Sequence, residues 1–147
     1  MTGVQTCALP ILLFGDKLKL IKGIELLPDL NDISVIAIDK YVTLINSPEY
    51  SAMFESRREC TLCPLEGDFL TETAVAEWTN ADIVFANSTC FNSELMVQIA
   101  NFAVQMRSGS RLITFTYPLP SESFQMTEKI NLGMSWGLAT CYIHIRY

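Results

Sequence analysis

Positive charge is in short supply: 10 lysines and arginines stand against 16 aspartates and glutamates, a formal charge of −6 over 147 residues. A protein held to DNA by its net charge needs the opposite balance, so direct nucleic-acid binding is not expected of this chain. Charge of either sign is sparse, at 18%, while half the residues are hydrophobic, which excludes a disordered tail. Long apolar runs are missing as well. None approaches the ~20 residues of a membrane-crossing helix, and no membrane partner is expected. There is one histidine, His144, and no second C-x-x-C pair to join Cys60 and Cys63, so the four ligands of a structural zinc cannot be assembled and no metal is expected. A thioredoxin-like pair should open a helix, whereas Pro64-Leu65 leads into a strand. No Ser/His/Asp set stands out, and His144 reads as a half-buried packing residue, so hydrolysis is not favoured. The five cysteines are odd in number and irregular in spacing, the usage of a reducing compartment.

Met1 to Ile11 (MTGVQTCALPI) carries no charge, lacks the basic start and cleavage site of a signal peptide, and is interrupted by Pro10. It resembles the in-frame translation of a sequencing adaptor and is excluded from fold reasoning. Residues 12–147 then read as one partial domain whose upstream sequence is missing.

Leu12 to Phe14 resemble the tail of a helix stopped at Gly15. Lys17 to Leu26 (KLKLIKGIEL) alternates apolar and polar residues, a strand that delivers Glu25 to its carboxyl edge. After Pro28 a helix is expected, capped by Asn31 or Asp32, with Ile33, Ile36, Ala37, Tyr41, Leu44 and Ile45 at helical spacing and Asn46-Ser47-Pro48 as its stop. Tyr50 to Glu55 could add a turn. Thr61 to Leu65 predicts a strand, Thr71 to Trp78 a turn or short helix, and Ala81 to Ala86 a strand covered on both faces. Ser93 to Met106 places Leu95, Met96, Ile99, Phe102, Ala103 and Met106 on one helical face, and Arg111 to Tyr117 is again a strand. Ser123 to Leu132 and Ala139 to Tyr147 predict a hairpin across Gly133 to Gly137. Alternating strands and helices with a terminal hairpin make an open, mostly parallel α/β sheet, with one antiparallel strand near its edge.

Ligands of such sheets bind beyond the carboxyl ends of the strands. Three ends carry useful groups. Glu25 could accept two ribose hydroxyls, or be a solvated strand end. Asp68 beside Phe69 offers an acceptor and a flat apolar face, which suits a purine amine and ring; alternatively Asp68 caps the next turn and Phe69 fills the core. Asn87, after the apolar strand, could hold a polar group without adding charge, or cap the way into the next helix.

In order along the chain, GIEL (Gly23 to Leu26), EGDFL (Glu66 to Leu70), IVFANSTCF (Ile83 to Phe91), MRSGSRLIT (Met106 to Thr114) and MSWGLATCYIHI (Met134 to Ile145) resemble segments of the disruptor-of-telomeric-silencing family, the non-SET histone lysine methyltransferases. The resemblance runs from about Leu12 to Tyr147. It implies the seven-stranded, Rossmann-like class I methyltransferase fold, S-adenosyl-L-methionine as cofactor, a nuclear location and a core histone, presented in the nucleosome, as substrate. By position, Glu25 would bind the ribose hydroxyls and Asp68 the adenine amine, with Phe69 stacked on the ring. Asn87 would lie near the transferred methyl, touching cofactor and channel, and Phe85, Phe91 and Trp136 would wall an apolar lysine channel. Two departures stand out. The interval from Trp136 to Tyr142 is shorter than the family's, which offers Cys141 for the channel position of a tyrosine. The glycine-rich loop after the first strand, expected upstream of the helix ending at Phe14, is absent, and so is that strand. Its place in the sheet is between the strand ending at Glu25 and the one ending at Ala86, so these residues alone are expected to fold and bind cofactor poorly. The alternatives are a methyltransferase of the same fold with another protein or a small molecule as substrate, and a noncatalytic binding module.

Overall fold

The structure, a computed structural model, describes residues 17–50, 60–134 and 137–147. The segment 1–11, the helix tail at Leu12 to Phe14, the turn beyond Tyr50 and Trp136 lie outside the described residues. The chain divides into two compact units, Met1–Phe69 and Leu70–Tyr147.

In the first unit, strand β1 (Leu20–Glu25), helix α1 (Pro28–Asn46) and strand β2 (Thr61–Glu66) form a succession of strand, helix and parallel strand. The register runs from Leu20 opposite Thr61 to Glu25 opposite Glu66. Pro64 is tolerated because of this register. The N–H groups of Thr61 and Gly67 donate to Lys19 and Glu25, so the odd-numbered residues of β2 face β1 and the nitrogen of Pro64 points away from the ladder. Helix α1 starts earlier than expected, with Leu27 as N-cap and Pro28 in the first turn, rather than at Asn31 or Asp32. Its stop at Asn46 is as expected. Tyr41 and Ile45 are buried against Ile21 and Leu62, but Ile33, Ile36 and Leu44 of the same apolar stripe are exposed. A sheet of two strands covers only part of a five-turn helix.

The second unit contains helix α2 (Glu72–Thr79), strand β3 (Ile83–Phe85), a 3-10 turn (Ser88–Cys90), helix α3 (Ser93–Ala103) and strands β4 (Arg111–Phe115), β5 (Phe124–Met134) and β6 (Gly137–Arg146). Its strand order is β3-β4-β6-β5; β3 and β4 run parallel, and β6 is antiparallel to both β4 and β5. The strands thus belong to two sheets, and the expected intervening strand is not among the described residues. Strand β3 is a correction: Ile83 and Phe85, which share one face, are 51% and 46% exposed, so the strand is not covered on both faces; among the described residues it is an edge strand of its sheet. The hairpin pairs as far as Met134 opposite Gly137, a tighter connection than the five residues expected, and one bulge between Met126 and Glu128 shifts its register.

The core of this unit is set by α3, which buries Met96, Ile99, Ala100 and Ala103, and by the central strand β4, whose Leu112 and Thr114 are wholly buried. Leu112 faces His144 across the ladder. His144 is 2% exposed, more deeply buried than its strand pattern suggests, and both ring nitrogens are committed. Nδ1 lies 3.1 Å from the Leu112 carbonyl and Nε2 accepts the Leu119 N–H at 3.1 Å, which defines a neutral ring protonated on Nδ1. Burial pushes the pKa of His144 below its ordinary 6.5, against a smaller upward pull from the Leu112 carbonyl. A proton added at Nε2 would face the Leu119 N–H. Below pH 6.5 the unfolded chain therefore binds a proton that the folded chain refuses, so the stability His144 contributes is complete above 6.5 and declines as the pH falls towards the folded value. Urea midpoints measured down a pH series should decline in that window, and a His144→Gln variant should lose that part of the slope.

Candidate active site

The two units each bring chemistry to the carboxyl ends of parallel strands. In the first, Glu25 ends β1 opposite Glu66, and the Gly67 N–H closes the pair by donating to the Glu25 carbonyl at 2.9 Å. Gly67 has φ +151°, a conformation that L side chains rarely adopt, with open space where a Cβ would stand. This turn leads from β2 into Asp68 and Phe69. Glu25 is half-buried and its Oε1 accepts the Leu27 N–H at 3.0 Å, which folds the carboxylate over the entry to α1. The carboxylate has further acceptor capacity. Asp68 is exposed and Phe69 half-buried. The cap of α2 is Thr71, whose hydroxyl accepts the Ala74 N–H.

In the second unit, Phe85 ends β3 opposite Ile113, and its ring meets that of Phe115 edge-on, with centroids 5.4 Å apart. Phe115 lies opposite Cys141, and Phe115, Ala139 and Cys141 form a buried cluster with Ile113, Met134 and Ile143 against it. The departure noted in the sequence thus has a location: Cys141 belongs to the aromatic face that carries Phe85, while Tyr142 alternates to the other face with His144. Burial pushes the Cys141 thiol up, with Glu128 adding to the effect, so it stays protonated and behaves as a small apolar group.

Asn87 follows at the start of the 3-10 turn, exposed and without a capping bond of its own. The cap of α3 is Asn92, whose Oδ1 accepts the Leu95 N–H at 2.9 Å, so Asn87 does not serve that helix. Phe91 closes the turn and is half-buried. Sequence reasoning missed Ser88. Its hydroxyl is fully buried, donates to the Phe115 carbonyl at 2.8 Å and lies 2.7 Å from the Phe115 nitrogen, which donates back. That exchange ties the turn to the carboxyl end of β4. The one sequence signal was a small hydroxyl residue between an amide and an apolar run, which is too common to select.

The Cys60-x-x-Cys63 pair enters and occupies β2, as its Pro64-Leu65 context predicts, and burial raises the Cys60 thiol. Along a strand, residues three apart stand ~10 Å apart and face opposite ways, beyond disulfide reach. Among the described residues no group of three or more His, Cys, Asp or Glu could hold a metal, and no helix is long and apolar enough to cross a membrane. A cavity of about 440 Å³ lies between α2 and α3, lined by Leu70, Glu72, Val75, Ala76, Phe102 and Gln105. It contains none of the candidate site residues named from the sequence.

Among solved structures, the rRNA methyltransferase aviRa from Streptomyces viridochromogenes is similar, with a TM-score of 0.59 and 9% identity over 95% of this chain and 70% of that one. At such identity the likeness speaks for the fold, an α/β methyltransferase fold. No curated protein matches. A family profile described as histone methylation protein DOT1 matches residues 16–134, most of the chain, and the chain therefore belongs to the DOT1 family and is by family a methyltransferase.

Proposed function

We propose that residues 12–147 are the later part of the catalytic domain of an S-adenosyl-L-methionine-dependent lysine methyltransferase. Its substrate is a core histone in the nucleosome and its place of action the nucleus; residues 1–11 are foreign sequence. The observation that supports this reading is the carboxyl edge of β1 and β2, where Glu25 ends β1, the Gly67 N–H donates to its carbonyl, and Asp68 and Phe69 follow directly in the chain. These acceptors and this flat side chain suit a nucleoside: Glu25 takes the ribose hydroxyls, Asp68 the adenine amine, and Phe69 stacks on the ring. The cofactor supplies an electrophilic methyl on a sulfonium.

Asn87 accepts from the substrate amine, and Phe85, Phe91 and Trp136 wall the channel through which the lysine enters. An apolar wall strips water from the ammonium, which lowers its pKa and favours the neutral amine that can attack; it also holds the amine in line. No strong base is required, which agrees with the commitment of His144 to two backbone groups. The acidic chain can attract a basic histone tail but gives no grip on nucleosomal DNA, which falls to sequence outside these residues.

The test is methyl transfer by the full-length enzyme to nucleosomes and to free histones. Transfer to nucleosomes is expected; cofactor binding without transfer to either would make the domain a binding module, and transfer only to another substrate would overturn the histone assignment. Loss of the charged acceptor in Glu25→Gln is expected to weaken cofactor affinity by ~10- to 100-fold, the worth of a charge-assisted hydrogen bond, as read by titration calorimetry. Unchanged affinity would remove Glu25 from the site.

A further inference from the structure

The turn that carries Asn87 leaves little to chance in its backbone and one freedom in its side chain. Ser88 is pinned from both sides by Phe115, so the peptide that follows Asn87 is fixed to β4. The remaining freedom is rotation of the carboxamide, whose terminal torsion is broad and roughly two-fold. Its two orientations are chemically opposite, because Oδ1 only accepts and Nδ2 only donates. In the structure Thr89 engages the oxygen: its Oγ1 donates to Asn87 Oδ1 at 3.2 Å. We propose that Thr89 is a positioning residue that holds the Asn87 carboxamide in the orientation that keeps Oδ1 available as an acceptor for the substrate amine. The inference rests on the reading of Asn87 as the residue beside the transferred methyl.

The chemistry asks for this orientation. An attacking amine spends its lone pair on the methyl carbon, so its N–H groups need an acceptor, and a carboxamide turned the other way would oppose them with its own N–H groups. A carbonyl oxygen has two lone pairs, so Oδ1 can accept from Thr89 and from the amine together. Threonine suits the post better than serine alone would require, since its branched Cβ restricts χ1 and keeps the hydroxyl aimed.

Thr89→Val keeps the shape and removes the hydroxyl; Thr89→Ser keeps the hydroxyl. In the full-length enzyme, Val at this position should lower kcat by ~3- to 10-fold, the worth of one hydrogen bond, with the KM for the methyl donor unchanged, and Ser should restore most of the rate. A second readout needs no activity: the heteronuclear NOE of the Asn87 side-chain amide should fall in Thr89→Val and recover in Thr89→Ser. An unchanged NOE in the valine variant overturns the proposal, as does a wild-type kcat. If the NOE falls while Asn87→Ala still transfers methyl groups, the contact stands and the reading of Asn87 is what fails.

Discussion

Asn87→Ala is expected to lower methyl transfer by ~100-fold or more while leaving the affinity for the methyl donor within about two-fold, since a polar group at the reacting centre acts on the transition state and not on remote binding. The residue suits such a role because its side chain caps neither the turn nor a helix. Helix α3 is capped by Asn92, and the backbone of the turn is held by Ser88. Asn87→Asp makes a sharper comparison. It preserves size and acceptor atoms but adds a negative charge, which holds a nearby amine as its ammonium and so removes the lone pair that attacks. The aspartate variant should therefore be as slow as the alanine variant at neutral pH and recover part of its rate at high pH, where the alanine variant does not. Single-turnover rates across a pH series measure both. Transfer by the alanine variant within about three-fold of the unsubstituted enzyme would take Asn87 out of the mechanism.

The order of elements was legible because each leaves a local mark: alternation over Leu20–Glu25, glycine or proline at the stops, and helical spacing through Ser93–Ala103. The strand ends that carry Glu25, Asp68 and Asn87 followed from the same marks. What was not legible depends on partners distant in the chain. Ile83 and Phe85 form part of an apolar run that a doubly covered strand would share, and only the strand order reveals that β3 is an edge. The stripe on α1 has the period of a core helix, yet its burial is decided by how many strands lie beneath it, and only Tyr41 and Ile45 find cover. The cap of α1 was misassigned for a simpler reason: Asn31 and Asp32 are good capping residues, but Pro28 already opens the helix after Leu27, which makes no side-chain cap bond. Ser88 was invisible because both of its bonds reach 27 residues along the chain.

That long reach makes Ser88→Ala the most destabilising small substitution expected here. The hydroxyl is fully buried and serves one residue twice, accepting from the Phe115 nitrogen and donating to its carbonyl. Alanine would leave both backbone groups without their partner in a site that water does not reach. Each such group costs ~1–3 kcal/mol, so a loss of about 2–5 kcal/mol is expected, a large share of the stability of an ordinary domain. Strand order gives the loss a direction, since among the described residues β4 is the one strand bonded to β3. Loosening Phe115 from the turn should also free the ring contact between Phe85 and Phe115 and so disturb the aromatic face beside Asn87. Urea unfolding of the full-length enzyme measures the first effect, with Ser108→Ala as the comparison: Ser108 is exposed, and a surface change of this kind should stay within about 0.5 kcal/mol. Equal midpoints for the two variants would mean that the Phe115 backbone finds other partners. A lower midpoint for Ser88→Ala together with slower methyl transfer below the unfolding range would tie the stability of the turn to its chemistry.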